Sequence, residues 1–137
     1  MTWVNDPATV RRLVTETRTI AVVGHSDDPS RDSFRVASYL RREGFHVFPV
    51  NPTVKEILGE PCYPDLASVP EPIDVVDVFR RPEFVPAIVD EAIAVGAKAV
   101  WLQLGVVNEE AARHAQDAGL DVVMDRCMMV EHARLTG

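Results

Sequence analysis

The stretch Thr19-Ile-Ala-Val-Val-Gly-His-Ser-Asp-Asp-Pro-Ser-Arg-Asp-Ser-Phe-Arg-Val-Ala-Ser-Tyr-Leu40 decides the fold. It begins with a continuous apolar run, Ile20 to Val23, which is typical of a buried parallel strand. Gly24 follows where the chain must turn, and a residue without Cβ lets the backbone approach a ligand phosphate. Apolar residues then recur at helical spacing, with Asp32 or Ser33 as the predicted cap. The stretch predicts a strand, a turn and a helix whose N-terminus faces an anion.

Length and composition predict one globular domain that spans residues 1–137. The chain has 137 residues, of which 47% are hydrophobic and 26% charged, and this is enough for one substantial core. A formal net charge of −7 repels polyanions, which disfavours a general nucleic-acid binder. No apolar run is long enough to span a bilayer, and the N-terminus lacks a leader pattern. We therefore expect neither a nucleic-acid nor a membrane partner.

The two cysteines, Cys62 and Cys127, have neither CxxC spacing nor paired histidines. This pattern predicts no metal site and a reducing, cytoplasmic location.

Strand and helix patterns alternate along the rest of the chain. Residues 1–18 form a lead-in, with a helix over 7–17 that begins at Asp6-Pro7. Four further strand patterns cover 46–51, 73–80, 97–105 and 121–127, and two helix patterns cover 82–95 and 108–118. The proline-rich segment 53–72 is a compact connection. The pattern predicts an α/β, three-layer Rossmann-like fold: a five-stranded parallel sheet with helices on both faces and, counting strands along the chain, the order 3-2-1-4-5.

In such a sheet, ligands bind beyond the carboxyl ends of the strands, beside strand one. The turn after strand one has a single glycine, which alone fits a purely structural turn equally well. Hydroxyl groups and two arginines in the same turn favour an anion site. At the end of strand two, Asn51 stands where a classical NAD site needs a carboxylate, and Lys55 follows. These two features favour a phosphorylated ribose over NAD.

Seven short segments together carry a resemblance to a known family. They are Ile20–Gly24, Asp28–Arg31, Phe48–Pro52, Gly59–Glu60, Asp74–Arg80, Trp101–Gly105 and Asp125–Cys127 with Glu131–His132. With these segments, the chain resembles the small stand-alone CoA-binding proteins, whose Rossmann domain is similar to the nucleotide-binding domain of the succinyl-CoA synthetase α subunit.

The resemblance implies coenzyme A (CoA) as the ligand and gives each strand end a role. For the pyrophosphate it implies Gly24 and Ser26, with Arg31 and Ser33 behind them. His25, a turn residue between the first two, is also counted among the cofactor-binding residues. For the adenine it implies Val50, Asn51 and Pro52, with Lys55 near the 3′-phosphate. The resemblance also implies that Val78, Phe79 and Arg80 flank the nucleotide. It implies that the pantetheine arm runs along Gln103 and Gly105.

We expect a binding module without catalytic residues, holding CoA or acyl-CoA in this crevice. His25 has no visible acidic partner, and Cys127 leaves a redox role open. The alternatives are a subunit or remnant of an acyl-CoA ligase, an NAD(P)-dependent enzyme or a redox sensor. A protein partner or a homodimer stays open.

Overall fold

The computed structural model describes residues 4–137, so the predicted lead-in at residues 1–3 lies outside the described residues. Its helices are α1 (Pro7–Glu16), α2 (Asp32–Arg42), α3 (Val85–Ala94), α4 (Glu109–Asp117) and α5 (Met128–Thr136). Its strands are β1 (Thr19–Val23), β2 (His46–Val50), β3 (Glu56–Ile57), β4 (Glu60–Pro61), β5 (Val75–Val78), β6 (Ala99–Leu102) and β7 (Asp121–Met124). Single 3-10 turns lie at Leu66–Ser68 and Pro82–Phe84.

Five of the strands form one parallel sheet covered on both faces, which confirms the predicted fold class. Alternate residues of each strand face opposite sides of the sheet. Val22 and Trp101 pack in the core layer shared with α1, α2 and α5, whereas Ala21 and Val100 pack in the layer shared with α3 and α4. We call these sides the α2 face and the α3 face. No helix within residues 4–137 is both long and apolar enough to cross a membrane.

The strand order is β2-β1-β5-β6-β7, so the third long strand lies between the first and the fourth. The predicted order 3-2-1-4-5 instead placed that strand beyond the second, and it was wrong. After β2 the chain forms the β3–β4 hairpin and returns along the outer edge of β2, where the Tyr63 amide donates to the Pro49 carbonyl at 2.9 Å. This return occupies the outer position, and the chain then crosses to the other side of β1.

Pro49 fits into β2 because β2 is the edge strand of the sheet. Its carbonyl accepts the Tyr63 amide on the outer side, and the nitrogen of a strand residue faces the same side as its carbonyl. The missing N–H therefore removes no hydrogen bond to β1.

Two helix starts behave as predicted and one helix was missed. Asp6 Oδ2 accepts from the Thr9 amide at 3.0 Å to begin α1, and Asn108 Oδ1 accepts from the Ala111 amide at 3.0 Å to begin α4. The missed helix is α5, whose N-cap Cys127 makes no side-chain capping bond. Its first amide, that of Met128, donates instead to Gln103 Oε1 at 3.1 Å. A cap supplied 25 residues away leaves no local signal.

Candidate functional site

The turn between β1 and α2 is shaped by its own hydrogen bonds. The Ser26 amide donates to Ser33 Oγ at 2.9 Å, and the Asp28 amide donates to Ser26 Oγ at 3.0 Å. Asp28 Oδ1 accepts from both the amide and the hydroxyl of Ser30, at 2.9 and 2.8 Å. These bonds hold the turn open in front of α2, so the shape of the turn does not depend on a ligand.

The N-terminus of α2 carries no side-chain cap, contrary to the prediction that Asp32 or Ser33 would supply one. Arg31 is the N-cap residue and makes no capping bond, and Asp32 is already helical. Ser33 Oγ is used by Ser26, and Asp32 pairs with Arg35. The first-turn amides therefore stay available to an external acceptor, and the helix dipole favours an anion there.

An open groove of about 550 Å³ lies over this turn, and we call it the turn groove. Its lining residues are Gly24, Ser26, Ser30, Arg31, Asp32, Ser33 and Phe79. The structure thus brings together here all four residues predicted to hold a pyrophosphate: Gly24, Ser26, Arg31 and Ser33.

A second groove of about 550 Å³ adjoins the first, because Asp32 and Phe79 line both. We call it the β6 groove, since the turn after β6 forms one of its walls. Its cationic lining residues are Arg35, Arg80 and Arg81, and its polar side chain is Gln103. Its remaining walls are mainly apolar and include Val36, Pro82, Leu104, Val106, Met129 and Val130, with Cys127 beside them.

Gly24 is required by packing between two strand ends. It has φ +86°, and a Cβ at this position would lie 2.4 Å from the Phe79 carbonyl oxygen. Its amide donates to the Val50 carbonyl at 2.8 Å. The predicted glycine turn is present, but the group that approaches Gly24 closely is the backbone at the end of β5.

His25 is fully buried, so its side chain does not contact either groove. Its Nδ1 lies 2.8 Å from the Ser26 carbonyl, its ring packs edge-on against Phe34, and its Nε2 has no partner among residues 4–137. Burial, with the positive charge of Arg41, lowers the pKa of His25 to about 4. The lowered pKa favours the neutral imidazole, and the His25 side chain is a buried part of the turn. A contact between His25 and a cofactor stays a prediction.

The residues predicted to hold adenine do not line either groove. Val50 is buried in the core on the α3 face. The Asn51 side chain joins two loops, because its Nδ2 donates to the His25 carbonyl at 3.1 Å and its Oδ1 accepts from the Thr53 amide at 3.0 Å. Pro52 and Lys55 are exposed beyond the end of β2. Of this set, Val50 is buried, Asn51 is half-buried, and Pro52 and Lys55 are exposed.

The end of β5 contributes Phe79 and Arg80 but not Val78. Val78 is completely buried on the α3 face and its side chain lines neither groove, so its contact with a nucleotide stays a prediction. Phe79 lies between the two grooves. The Arg80 guanidinium stacks 4.3 Å from the centre of the Phe84 ring, which holds its charge at the β6 groove.

Gln103 and Gly105, which were predicted to lie along the pantetheine arm, line the β6 groove, and both also fix its shape. Gln103 Oε1 accepts from the Met128 amide at the start of α5, and the Gly105 amide donates to Asp125 Oδ1 at 2.7 Å. The turn after β6 is therefore tied to both the end of β7 and the start of α5.

Several groove residues were missed by sequence reasoning, namely Val36, Pro82, Val106, Met129 and Val130. Pro82 follows the strand end Val78–Arg81, so extending the strand-end rule by one residue would have found it. Met129 and Val130 belong to the unpredicted helix α5, and no signal in their own segment places them there. Within residues 4–137, no group of three His, Cys, Asp or Glu side chains is arranged to hold a metal ion.

The chain is similar in sequence and in fold to several known proteins. The chain is 40% identical over 126 residues to the uncharacterized protein YneT of Bacillus subtilis, covering 92% of this chain and 93% of YneT. A solved structure of a hypothetical protein from Pyrococcus horikoshii OT3 has 42% identity and a TM-score of 0.93, with 100% of this chain and 99% of that chain covered. Acetate–CoA ligase (ADP-forming) I of Archaeoglobus fulgidus is 27% identical over 121 residues, which are 81% of this chain but 18% of the ligase.

The profile of the CoA binding domain matches residues 18–133, which include all the strands and the two grooves. The matched part is most of the chain, and the chain belongs to the CoA binding domain family.

Proposed function

We propose that this chain binds CoA or an acyl-CoA across the turn groove and the β6 groove, as a binding module without catalysis of its own. The observation that carries the proposal is the uncapped N-terminus of α2 opening into the turn groove beside Arg31. Free first-turn amides, a helix dipole and a guanidinium are the donors that a pyrophosphate requires.

The charge distribution supports the same proposal. The chain has a net charge of −7, yet four arginines line the two adjoining grooves: Arg31, Arg35, Arg80 and Arg81. Asp32 neutralises part of this charge through Arg35, and Glu83 lies 3.7 Å from Arg81. A local excess of cations on an acidic molecule favours an anionic ligand at this place.

The two grooves suggest how the parts of CoA are distributed. The pyrophosphate would lie over α2 in the turn groove, and the pantetheine arm would extend past Phe79 into the β6 groove, along Gln103 and Gly105. The adenosine would then point towards the end of β2, where Pro52 is exposed. A contact between Lys55 and the 3′-phosphate stays a prediction.

The test is a calorimetric titration of CoA into the wild type, Arg31→Ala and Arg113→Ala. Arg113 is an exposed residue of α4, the helix that packs on the α3 face, and it lines neither groove. Both variants remove one positive charge, so Arg113→Ala controls for the change in net charge. Arg31→Ala should weaken binding by about 1.5 to 3 kcal/mol, because a charge-assisted hydrogen bond is lost. Arg113→Ala should bind as the wild type does. Equal affinities for all three proteins would show that Arg31 is only a surface charge and would remove the proposed anion site.

A second candidate is a subunit of an acyl-CoA ligase, completed by other domains. This candidate is favoured by the match to the acetate–CoA ligase, because the matched residues are 18% of the ligase and other domains make up the rest of it. The groups available to act on a thioester are few: His25 is buried, and Cys127 lines the β6 groove. We expect no release of free thiol from acetyl-CoA by the purified chain. Release that disappears in Cys127→Ser would place the chain among enzymes.

We also propose a cytoplasmic location. Cys62 and Cys127 are both free thiols, as expected in a reducing compartment.

A further inference from the structure

The β6 groove exposes apolar side chains to solvent. Leu104 is 69% exposed and Val130 is 56% exposed, and both line this groove. Within residues 4–137, four large apolar side chains are exposed, so half of them lie at one site. Clustered exposed apolar residues mark a surface that is covered by a ligand or a partner.

These exposed walls are held in place before any ligand binds. Leu104 lies between Gln103, which caps α5, and Gly105, whose amide is held by Asp125. Val130 lies in the first turn of α5, two residues after the completely buried Met128. The groove is therefore preformed, and ligand binding would cost little conformational entropy in the protein.

The groove has two chemically different parts. Arg35, Arg80 and Arg81 supply positive charge, whereas Leu104, Val106 and Val130 supply apolar walls. Through Phe79 the groove continues into the turn groove, with its donors for an anion. A ligand that matches the order of these surfaces carries anionic groups, then a polar arm, then an apolar end.

We propose that the apolar walls of the β6 groove are a subsite for the acyl chain of a CoA thioester, so that the protein prefers CoA carrying a short to medium, uncharged acyl chain over free CoA. This inference rests on the proposed binding of CoA. It adds that Leu104 and Val130 contact the acyl chain and that their contact sets the preference for chain length and charge.

The experiment titrates free CoA, acetyl-CoA, butanoyl-CoA, hexanoyl-CoA and succinyl-CoA into the wild-type protein by calorimetry. A fully buried methylene tightens binding by about fourfold, and on a half-open wall we expect about twofold. Hexanoyl-CoA has four more methylenes than acetyl-CoA and should therefore bind about sixteenfold more tightly, with a heat-capacity change that becomes more negative as the chain lengthens. Succinyl-CoA should bind more weakly than butanoyl-CoA, because its terminal carboxylate would meet apolar walls.

The ratio of hexanoyl-CoA to free CoA affinity is then compared in Leu104→Ser, Val130→Ser and Leu58→Ser. Leu58 is 64% exposed on the β3–β4 hairpin and lines neither groove, which makes it the matched control. The ratio should fall towards one in the first two variants and stay at the wild-type value in the third.

Each other outcome overturns the inference in a recognisable way. If free CoA binds and the affinity does not change with chain length, the acyl subsite is wrong and the proposed CoA function stands. If no CoA compound binds, the proposed function fails and the subsite fails with it. If light scattering shows a dimer that Leu104→Ser converts to a monomer, the apolar walls belong to a contact between two copies of the chain.

Discussion

Asp77 places a carboxyl group inside an otherwise apolar layer. It lies in β5 beside Val22 and Trp101 in the register of the sheet, is completely buried, and has no hydrogen-bond partner for either oxygen within the described part of the chain. Burial raises the pKa of Asp77 well above its usual value. The side chain is therefore protonated over a range of pH in which it ionises in the unfolded chain.

Asp77→Asn should stabilise the protein increasingly as the pH rises above about 4. Between the unfolded and the folded pKa the native state binds the extra proton, so raising the pH favours unfolding, by up to about 1.4 kcal/mol per pH unit. The asparagine side chain does not titrate, so the variant lacks this loss. Urea unfolding at several pH values between 4.5 and 7.5 measures the difference between the two proteins.

Asp74→Asn is the control of opposite sign. Burial raises the pKa of Asp74, but the amides of Thr19 and Arg18 and the ammonium of Lys98 together lower it below its usual value. The Asp74 carboxylate thus stabilises the fold above its unfolded pKa and loses this effect as the pH falls through the folded pKa. This variant should be less stable than the wild type at neutral pH, and the gap should close in acid. A difference for Asp77→Asn that does not depend on pH would contradict the buried, protonated state.

At this scale, residue type and position along the chain predicted the site only in part. Ser26, Arg31, Phe79 and Gln103 do line the grooves, because residues just beyond parallel strands meet at one edge. His25 and Val78 stand at the same strand ends but point inward. Gly24 has positive φ, so the alternation of side chains along β1 no longer tells which way His25 points. Val78 still belongs to β5 and faces the core on the α3 face.

Among the secondary-structure elements, the ends of β1 and β5 approach each other closely at Gly24. The Phe79 amide donates to the Val23 carbonyl at 2.8 Å, and the Phe79 carbonyl lies over the Cα of Gly24. This contact brings the turn groove and the β6 groove together, since Phe79 lines both.

Gly24→Ala should lower the free energy of unfolding by about 3 kcal/mol, because alanine is strained at positive φ and its Cβ overlaps the Phe79 carbonyl. Gly59→Ala is the matched control: it has φ +79° in the β3–β4 hairpin, with nothing within 4 Å of the added Cβ. It should cost about 1 kcal/mol, from strain alone. Urea unfolding measures both changes, and equal costs would mean that the strand ends can separate without penalty.

The elements themselves were predictable to a large extent, whereas their order was not. The apolar run of β1 and the caps at Asp6 and Asn108 are local signals, and they were read correctly. The position of β5 beside β1 depends on where the segment 51–74 runs, and that is settled by Tyr63 pairing with the edge of β2. A contact between one exposed edge and one residue of a loop leaves no periodic pattern in the sequence.

On the scale of the whole molecule, the sheet brings both grooves to the point where the chain connections diverge, between β1 and β5. This is the general ligand-binding position of open α/β sheets, and the corrected strand order keeps it beside β1. The acidic molecule presents its arginine-lined grooves there, and the family match covers the elements that build them. We therefore expect an anionic CoA compound to occupy these grooves.

The most direct test is a set of calorimetric titrations of CoA, NAD and NADP into the wild-type protein at one salt concentration. CoA should bind more tightly than either dinucleotide, because β2 is followed by Asn51 and Pro52 and not by the carboxylate that holds the ribose of NAD, and because the β6 groove fits an extended arm. Tighter binding of NAD than of CoA would contradict the account.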